Sequence, residues 1–263
     1  MLDFDSRIYL IYLAVKYEGD YFKIVNALQL KEDVSKQEAE KVYKSLKCKV
    51  ITFIDYDYPR KLKYAYRPPL VLFYYGDISL IDDDRRRLGV VGSRSFSEYG
   101  KMATETIVGG LAKQCVIVSG LAKGIDAIAH QTAIDNGGRT IAVLGSGIDI
   151  CYPIENKQLY EEIKTNHLLI SEYPNNITPD GRHFPARNRI IVALSEGILV
   201  PQINSYQSGT NISINFALEM NKPVLAIPHP INEEVPNVTN QLLFEGADLV
   251  EKVDDVLTFL KWR

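Results

Sequence analysis

LGVVGSRSFSEYGKMATETIVGGLAKQCVIVSGLAKGID, residues 88–126, decides the fold. Two short β-branched runs, LGVV and CVIVS, flank a stretch with helical spacing, and each run gives way at once to glycines and small hydroxyls. The texture continues through TIAVL (140–144), HLLIS (167–171), GILVP (197–201), PVLAI (223–227) and DLV (248–250). Helical patterns of roughly ten to fifteen residues separate these runs, which is the signature of βαβ units. The expected fold is α/β: an extended Rossmann-like, mostly parallel sheet with helices on both faces. Ligands of such sheets bind beyond the carboxyl ends of the strands, where the strand order reverses.

The loops at those ends share one chemistry. Gly92-Ser93-Arg94 follows LGVV, and Ser119-Gly120-Leu121-Ala122-Lys123-Gly124-Ile125-Asp126 follows CVIV. Gly145-Ser146-Gly147 follows TIAVL, and Ser208-Gly209-Thr210 opens a helix after GILVP. Glycine admits close backbone approach, and hydroxyls with helix N-termini donate to anions. Together with Arg94 and Lys123 these loops describe an anion cradle.

Several other chemistries find no footing. GSGIDI carries Ile150 where a dinucleotide fingerprint needs its third glycine, and no segment matches a P-loop. No cofactor is expected. His130, His167, His183 and His229 lack metal-ligand or nucleophile-base spacing, so neither a metal nor a catalytic residue is assigned. Asp126 and Glu172 read as groups that orient a nearby cation.

FPARNRIIVALS, residues 184–195, places two arginines before an apolar run. Pro185 is suited to the first helical position, which puts Arg187, Asn188 and Arg189 in the first turn of a helix ending near Leu194. Cations there oppose the macrodipole, so an anion must compensate. Residues two apart on a helix point about 200° from each other. One arginine is therefore expected to face an external anion while the other pairs with an internal carboxylate such as Asp126 or Glu172.

Residues 1–50 lack proline and repeat apolar residues at helical spacing (Ile8, Ile11, Tyr12, Val15; Phe22, Val25, Leu28), which predicts a small helical module. Ser35 with Glu38 resembles a capping box opening its third helix. The prolines and tyrosines of residues 51–80 read as strand and loop, with Leu70–Tyr75 a strand. The chain thus divides into a helical unit (1–50) and a larger α/β unit (51–263).

Across 263 residues, 46% hydrophobic and 24% charged content gives enough apolar surface for a full core and no disordered tract. A net charge of −3 argues against indiscriminate polyanion binding yet allows a local basic groove, provided acids such as Asp82–Asp84 lie elsewhere. Cys48, Cys115 and Cys151 form no CxxC, the N-terminus lacks a signal-peptide pattern, and no apolar run approaches the roughly 18 residues of a membrane span. A cytoplasmic protein without membrane contact is expected.

The ordered series GSRxxSxYG (92–100), SGLAKGID (119–126), LGSGIDICYP (144–153) with Asn156 beyond, SEYP (171–174), FPARNR (184–189), SGT (208–210), AIPHP (226–230) and NVTNQLLFEGA (237–247) resembles the DprA/Smf family of DNA-processing proteins. The resemblance covers about residues 53–250, and the helical unit is similar to the family's SAM-like domain. It implies a non-catalytic protein that binds and protects incoming single-stranded DNA, loads RecA recombinase onto it during natural transformation, and forms a homodimer. By position it implies a DNA pocket of Gly92, Ser93, Arg94, Ser119, Gly120, Lys123, Gly124, Arg187, Asn188, Arg189, Ser208, Gly209 and Thr210. Helix N-termini at Gly92, Gly120 and Gly209 would donate to phosphates, with Asp126 and Glu172 orienting the pocket. Pro201-Gln202, Ser213-Ile214 and His229 depart from the family pattern, and the chain ends at Arg263 without room for the winged-helix-like domain of many relatives. The alternative is a nucleotide-binding enzyme akin to the Rossmann-like phosphoribohydrolases. Here Ser208–Ser213 lacks their double glycine and carries Ser213 in place of their glutamate.

Overall fold

The computed structural model describes residues 6–82, 84–231 and 238–262; Asp83 and Asn237, both named above, lie outside them. Helices α1 (Ser6–Lys16), α2 (Tyr21–Gln29) and α3 (Lys36–Ser45) come first, followed by β1 (Lys49–Thr52), the single turn α4 (Arg60–Lys63) and β2 (Val71–Gly76). The alternating region then runs β3 (Arg87–Val90), α5 (Glu98–Leu111), β4 (Val116–Ser119), α6 (Ile125–Asp135), β5 (Arg139–Leu144), α7 (Lys157–Asn166) and β6 (Leu168–Ser171). It continues with α8 (His183–Leu194), β7 (Gly197–Val200), α9 (Gly209–Glu219), β8 (Val224–Ala226), α10 (Thr239–Phe244), β9 (Asp248–Leu249) and α11 (Val253–Phe259).

The described residues form one nine-stranded sheet in the order β1-β2-β6-β5-β4-β3-β7-β8-β9. From β6 to β9 every pairing is parallel; β2 runs antiparallel to both β1 and β6, so it alone of the nine strands is reversed. The order proceeds outward from β3 through β4, β5 and β6, then resumes on the other side of β3 with β7. That reversal leaves a crevice between the ends of β3 and β7.

The strands are apolar on both sides because both sides are covered. Successive side chains alternate faces, so Ile141 and Val143 of β5 pack with α8 residues Ile190, Ile191 and Val192, whereas Ala142 and Leu144 pack with α1 and α7. Each fully buried Leu or Ile stabilises the fold by about 1.5–3 kcal/mol relative to exposure. Six consecutive buried residues of α1, Tyr9–Ala14, share a core with Val71, Phe73, Leu144, Ile148 and Tyr160. The N-terminal helices therefore pack directly on the sheet.

Two local expectations need correction. Ser35 is the N-cap of α3 but makes no side-chain cap bond, and the Glu38 carboxylate accepts the Tyr12 hydroxyl at 3.0 Å, so no capping box forms. Helix α8 starts at His183, two residues before Pro185. Asp180 accepts the amides of Arg182 (2.8 Å, side chain) and His183 (3.0 Å, backbone), and the His183 ring stacks on Tyr173 at 4.0 Å, so the chain is already turning. Pro185 still falls among the first amides of the helix, which have no intrahelical acceptor. Arg187 and Arg189 are consequently in the second turn, not the first.

The far end of α8 is held by cations. Lys222 Nζ donates to the carbonyls of Val192 (2.7 Å), Ala193 (2.8 Å) and Ser195 (2.5 Å), and Arg87 Nε donates to Leu194 O at 2.7 Å. Positive charge at a helix C-terminus complements the dipole. Burial pulls the Lys222 ammonium down to about 8.

Candidate nucleic-acid interface

A cleft of about 780 Å³ opens in the crevice between β3 and β7. The loop after β3 contributes Gly92, Ser93 and Arg94; the loop after β7 and the start of α9 contribute Ser208, Gly209 and Thr210; α8 contributes Arg187 and Asn188. Asp126, on the first turn of α6, completes the floor. Nine positions that lie far apart in the chain are thus brought together around one space.

Arg187 dominates its electrostatics. The side chain is 5% exposed, and Nη1 donates to Gly120 O at 2.7 Å and to Val143 O. Nε donates to Asn188 Oδ1 at 3.1 Å, and Asn188 Nδ2 in turn donates to Gly209 O at 3.1 Å. Among the described residues no carboxylate lies within 4 Å of it. Burial pulls the guanidinium down to about 10, against the opposing field of Asp126, so it is cationic at neutral pH. Asp126 is pushed upward by its own burial, while Arg187 and the Gly120 amide (3.0 Å) resist that shift. A Cβ on Gly120 would lie 2.5 Å from Nη2 of Arg187, so only glycine lets the guanidinium lie over this turn.

Hydroxyls around the cleft have spare hydrogen-bonding capacity. Ser208 Oγ and Ser213 Oγ are buried with no partner among the described residues, and Ser213 lines the cleft beside Thr210. Buried polar groups are normally bonded, so these two are positioned for something that enters. The departure at Gln202 is structural: its Oε1 accepts the Ser97 amide at 2.9 Å, in the space that Gly100 leaves by lacking a side chain. His229, the other departure, packs edge-on against Tyr99 at 4.8 Å.

Not every expected position reaches the cleft. Ser119 is fully buried and its hydroxyl donates to Val90 O at 2.6 Å, inside the sheet. Gly124 forms the turn at φ 81°, packed against the carbonyls of Ser93 and Arg94. Gly120 and Lys123 line a smaller adjoining recess that shares Arg94 and Arg187 with the cleft. There Lys123 Nζ pairs with Glu155 at 2.5 Å. Arg189 projects from the opposite side of α8 and binds Glu172 through two 2.6 Å bonds. Burial opposes the Arg189 charge, yet Glu172 more than offsets it and holds the guanidinium above its ordinary value.

Of the three anticipated helix N-termini, only Gly209 begins a helix. The helix after Gly92 starts at Glu98 and that after Gly120 starts at Ile125, so those loops have no macrodipole behind them, and the Ser93 and Gly120 amides already donate to Gln202 O and Asp126, each at 3.0 Å.

Two aromatic residues were overlooked. Phe184 and Tyr152 line both the cleft and the recess, with rings stacked 5.4 Å apart at 28°, and Arg94 lies 6.0 Å from the Phe184 centroid. A Cβ on Gly145 would lie 2.6 Å from Phe184, so the glycine after β5 makes room for this ring. In the sequence Phe184 shows only as the first residue of FPARNR, ahead of the two arginines. His130 is fully buried, its ring pulled down to about 3 by burial, with Nδ1 2.6 Å from Thr140 Oγ1. Among the described residues no group of metal-ligating side chains gathers, and no helix is long and apolar enough to cross a membrane.

Residues 49–261 match the family model for DNA recombination-mediator protein A. The chain is 43% identical over 206 residues to the DNA processing protein DprA of Streptococcus pneumoniae, covering 78% of this chain and 72% of the relative. It is 39% identical over 207 residues to the Bacillus subtilis protein of the same name, covering 78% and 69%. The crystal structure of the pneumococcal protein superposes with a TM-score of 0.77 at 35% identity, over 95% of this chain and 92% of that one. DNA processing protein A of Helicobacter pylori, studied for its single-stranded DNA binding mode, superposes at 0.73 with 31% identity, over 83% and 97%.

Proposed function

The chain belongs to the DNA recombination-mediator protein A family, and on that premise we propose that its cleft binds single-stranded DNA. The observation that carries this reading is Arg187: a buried cation, without a carboxylate within 4 Å among the described residues, facing a cleft ringed by donors. A buried charge is costly unless compensated; two carbonyls and the field of Asp126 offset it in part, and a phosphate would complete the compensation. Arg94, the Ser93 hydroxyl and the Gly209 helix N-terminus would take neighbouring phosphates. The stacked rings of Phe184 and Tyr152 offer a face to an unpaired base, which a duplex would not present. Backbone and stacking contacts of this kind predict weak sequence preference. The single-stranded DNA binding of the Helicobacter pylori relative supports the same reading.

The role in this reading is to protect incoming single strands in the cytoplasm and load RecA recombinase onto them during natural transformation, without catalysis. Leu218, Phe244 and Leu249 leave large apolar surface exposed on α9, α10 and β9, at the far edge of the sheet. Large apolar side chains left in water at a sheet edge are common at interfaces, which favours a homodimer joined there. A SAM-like unit over residues 1–50 and a Rossmann-like unit over 51–263 remain the proposed division. The hydrolase alternative would need a carboxylate where Ser213 stands, leaving only Asp126 as a base; release of free base from nucleoside monophosphates would establish it.

The test is binding to oligothymidylate and to duplex DNA of equal length across a salt series. The single strand should bind more tightly, with log K falling linearly against log salt at about −0.7 per phosphate contacted. Equal or tighter duplex binding would reject the reading.

A further inference from the structure

The segment YDYPRKLKYAYR, residues 56–67, interleaves tyrosines with four cations and is not part of the cleft. Arg67 lies at its end in a left-handed conformation, φ 49°, and makes no ion pair among the described residues. Its guanidinium is 4.3 Å from the ring centroid of Phe22, on α2, and 4.7 Å from that of Tyr66. Both rings are more than half exposed, at 60% and 52%. Exposed Arg-aromatic contacts are weak in themselves, so holding a loop in place is a poor explanation for leaving two rings in water. The cluster gathers two exposed aromatic side chains, each with Arg67 over one face and Phe22 also edge-packed with Tyr21 at 5.7 Å, and a guanidinium without an ion pair among the described residues, which is the equipment of a single-strand platform.

A chain of contacts also links it to the cleft. Gly181 and Phe184 form the rim, and between them His183 stacks on Tyr173. Gly19 sits against Glu172 O and the Tyr173 ring, and the next residue, Asp20, caps α2 by accepting the Phe22 amide at 3.0 Å. Arg189 Nε donates to Arg67 O at 3.0 Å, so the helix that carries Arg187 also anchors the Arg67 loop. Two of the nearby acids are engaged, Asp20 capping α2 and meeting Lys23 and Asp180 pairing with Arg182, while Glu18 stands close enough to act on His183.

We propose that Arg67, Phe22 and Tyr66 form a second docking surface for the single strand where it leaves the cleft. This rests on the reading that the cleft itself binds single-stranded DNA. A strand too short to span both surfaces gains nothing from the second, whereas a longer one gains a phosphate contact and one or two stacked bases.

The experiment compares oligothymidylates of about six and about twenty nucleotides on wild type, Arg67→Gln, Phe22→Ala and Arg187→Ala. Arg67→Gln and Phe22→Ala should each weaken the longer strand by about tenfold and leave the shorter one unchanged. Arg67→Gln should also lower the salt slope for the longer strand by about 0.7. Arg187→Ala should weaken both lengths. Arg67→Gln and Phe22→Ala variants that bind the longer strand like wild type, or lose both lengths equally, overturn the second surface while the cleft reading stands. Wild type that binds neither length overturns both.

Discussion

A Glu172→Ala variant should lose roughly 3–5 kcal/mol of stability, one of the two largest effects of any single substitution considered. Glu172 and Arg189 are 8% and 5% exposed and joined by two 2.6 Å bonds. Removing the carboxylate leaves a guanidinium in the interior with only the carbonyls of Arg67 and Ala186 for partners. For a chain of this size the melting temperature should fall by roughly 6–20 °C. The penalty comes from the stranded charge, so a joint Glu172→Leu, Arg189→Met replacement should recover much of the loss, since well-packed apolar pairs often match a buried ion pair. Thermal melts of the two variants check this. Equal losses in both would mean that packing volume, not charge compensation, sets the cost.

Gly124→Ala should be comparably damaging and should also disable the cleft. The backbone here has φ 81° and ψ −131°, a region open essentially to glycine, and conformational strain alone costs about 1–3 kcal/mol. An added Cβ would lie 2.3 Å from Ser93 O and 2.6 Å from Arg94 O, backbone atoms that cannot swing aside. Relief requires moving the loop that carries Ser93 and Arg94 out of the cleft. A large drop in melting temperature together with loss of oligothymidylate binding is expected. Retention of wild-type affinity in a folded variant would separate this turn from the binding surface.

The α/β alternation was readable because strands buried on both faces must be apolar throughout, so LGVV, CVIVS, TIAVL and GILVP stand out from the helices between them. The glycine-rich ends of those strands were readable for a related reason: Gly120 and Gly124 are required by the close approach of Arg187 and of the Ser93–Arg94 backbone. The divergence of Arg187 and Arg189 followed from helical geometry without knowing where the helix begins. Which way Ser119 points did not, because at the last residue of β4 one step decides between sheet interior and cleft. Nor did the early start of α8, which depends on Asp180 and on the long-range stack of His183 on Tyr173. The pairing of Phe184 with Tyr152 joins residues 32 positions apart, beyond any local periodicity.

On the proposed function, a DNA phosphate compensates the positive charge of Arg187. The most direct measurement is the salt dependence of oligothymidylate binding by wild type and Arg187→Ala, with melting curves confirming that both are folded. The variant should bind more weakly at every salt concentration, by a similar factor for different base sequences, with the slope of log K against log salt reduced by about 0.7. A folded Arg187→Ala protein with unchanged affinity and unchanged slope would contradict the account.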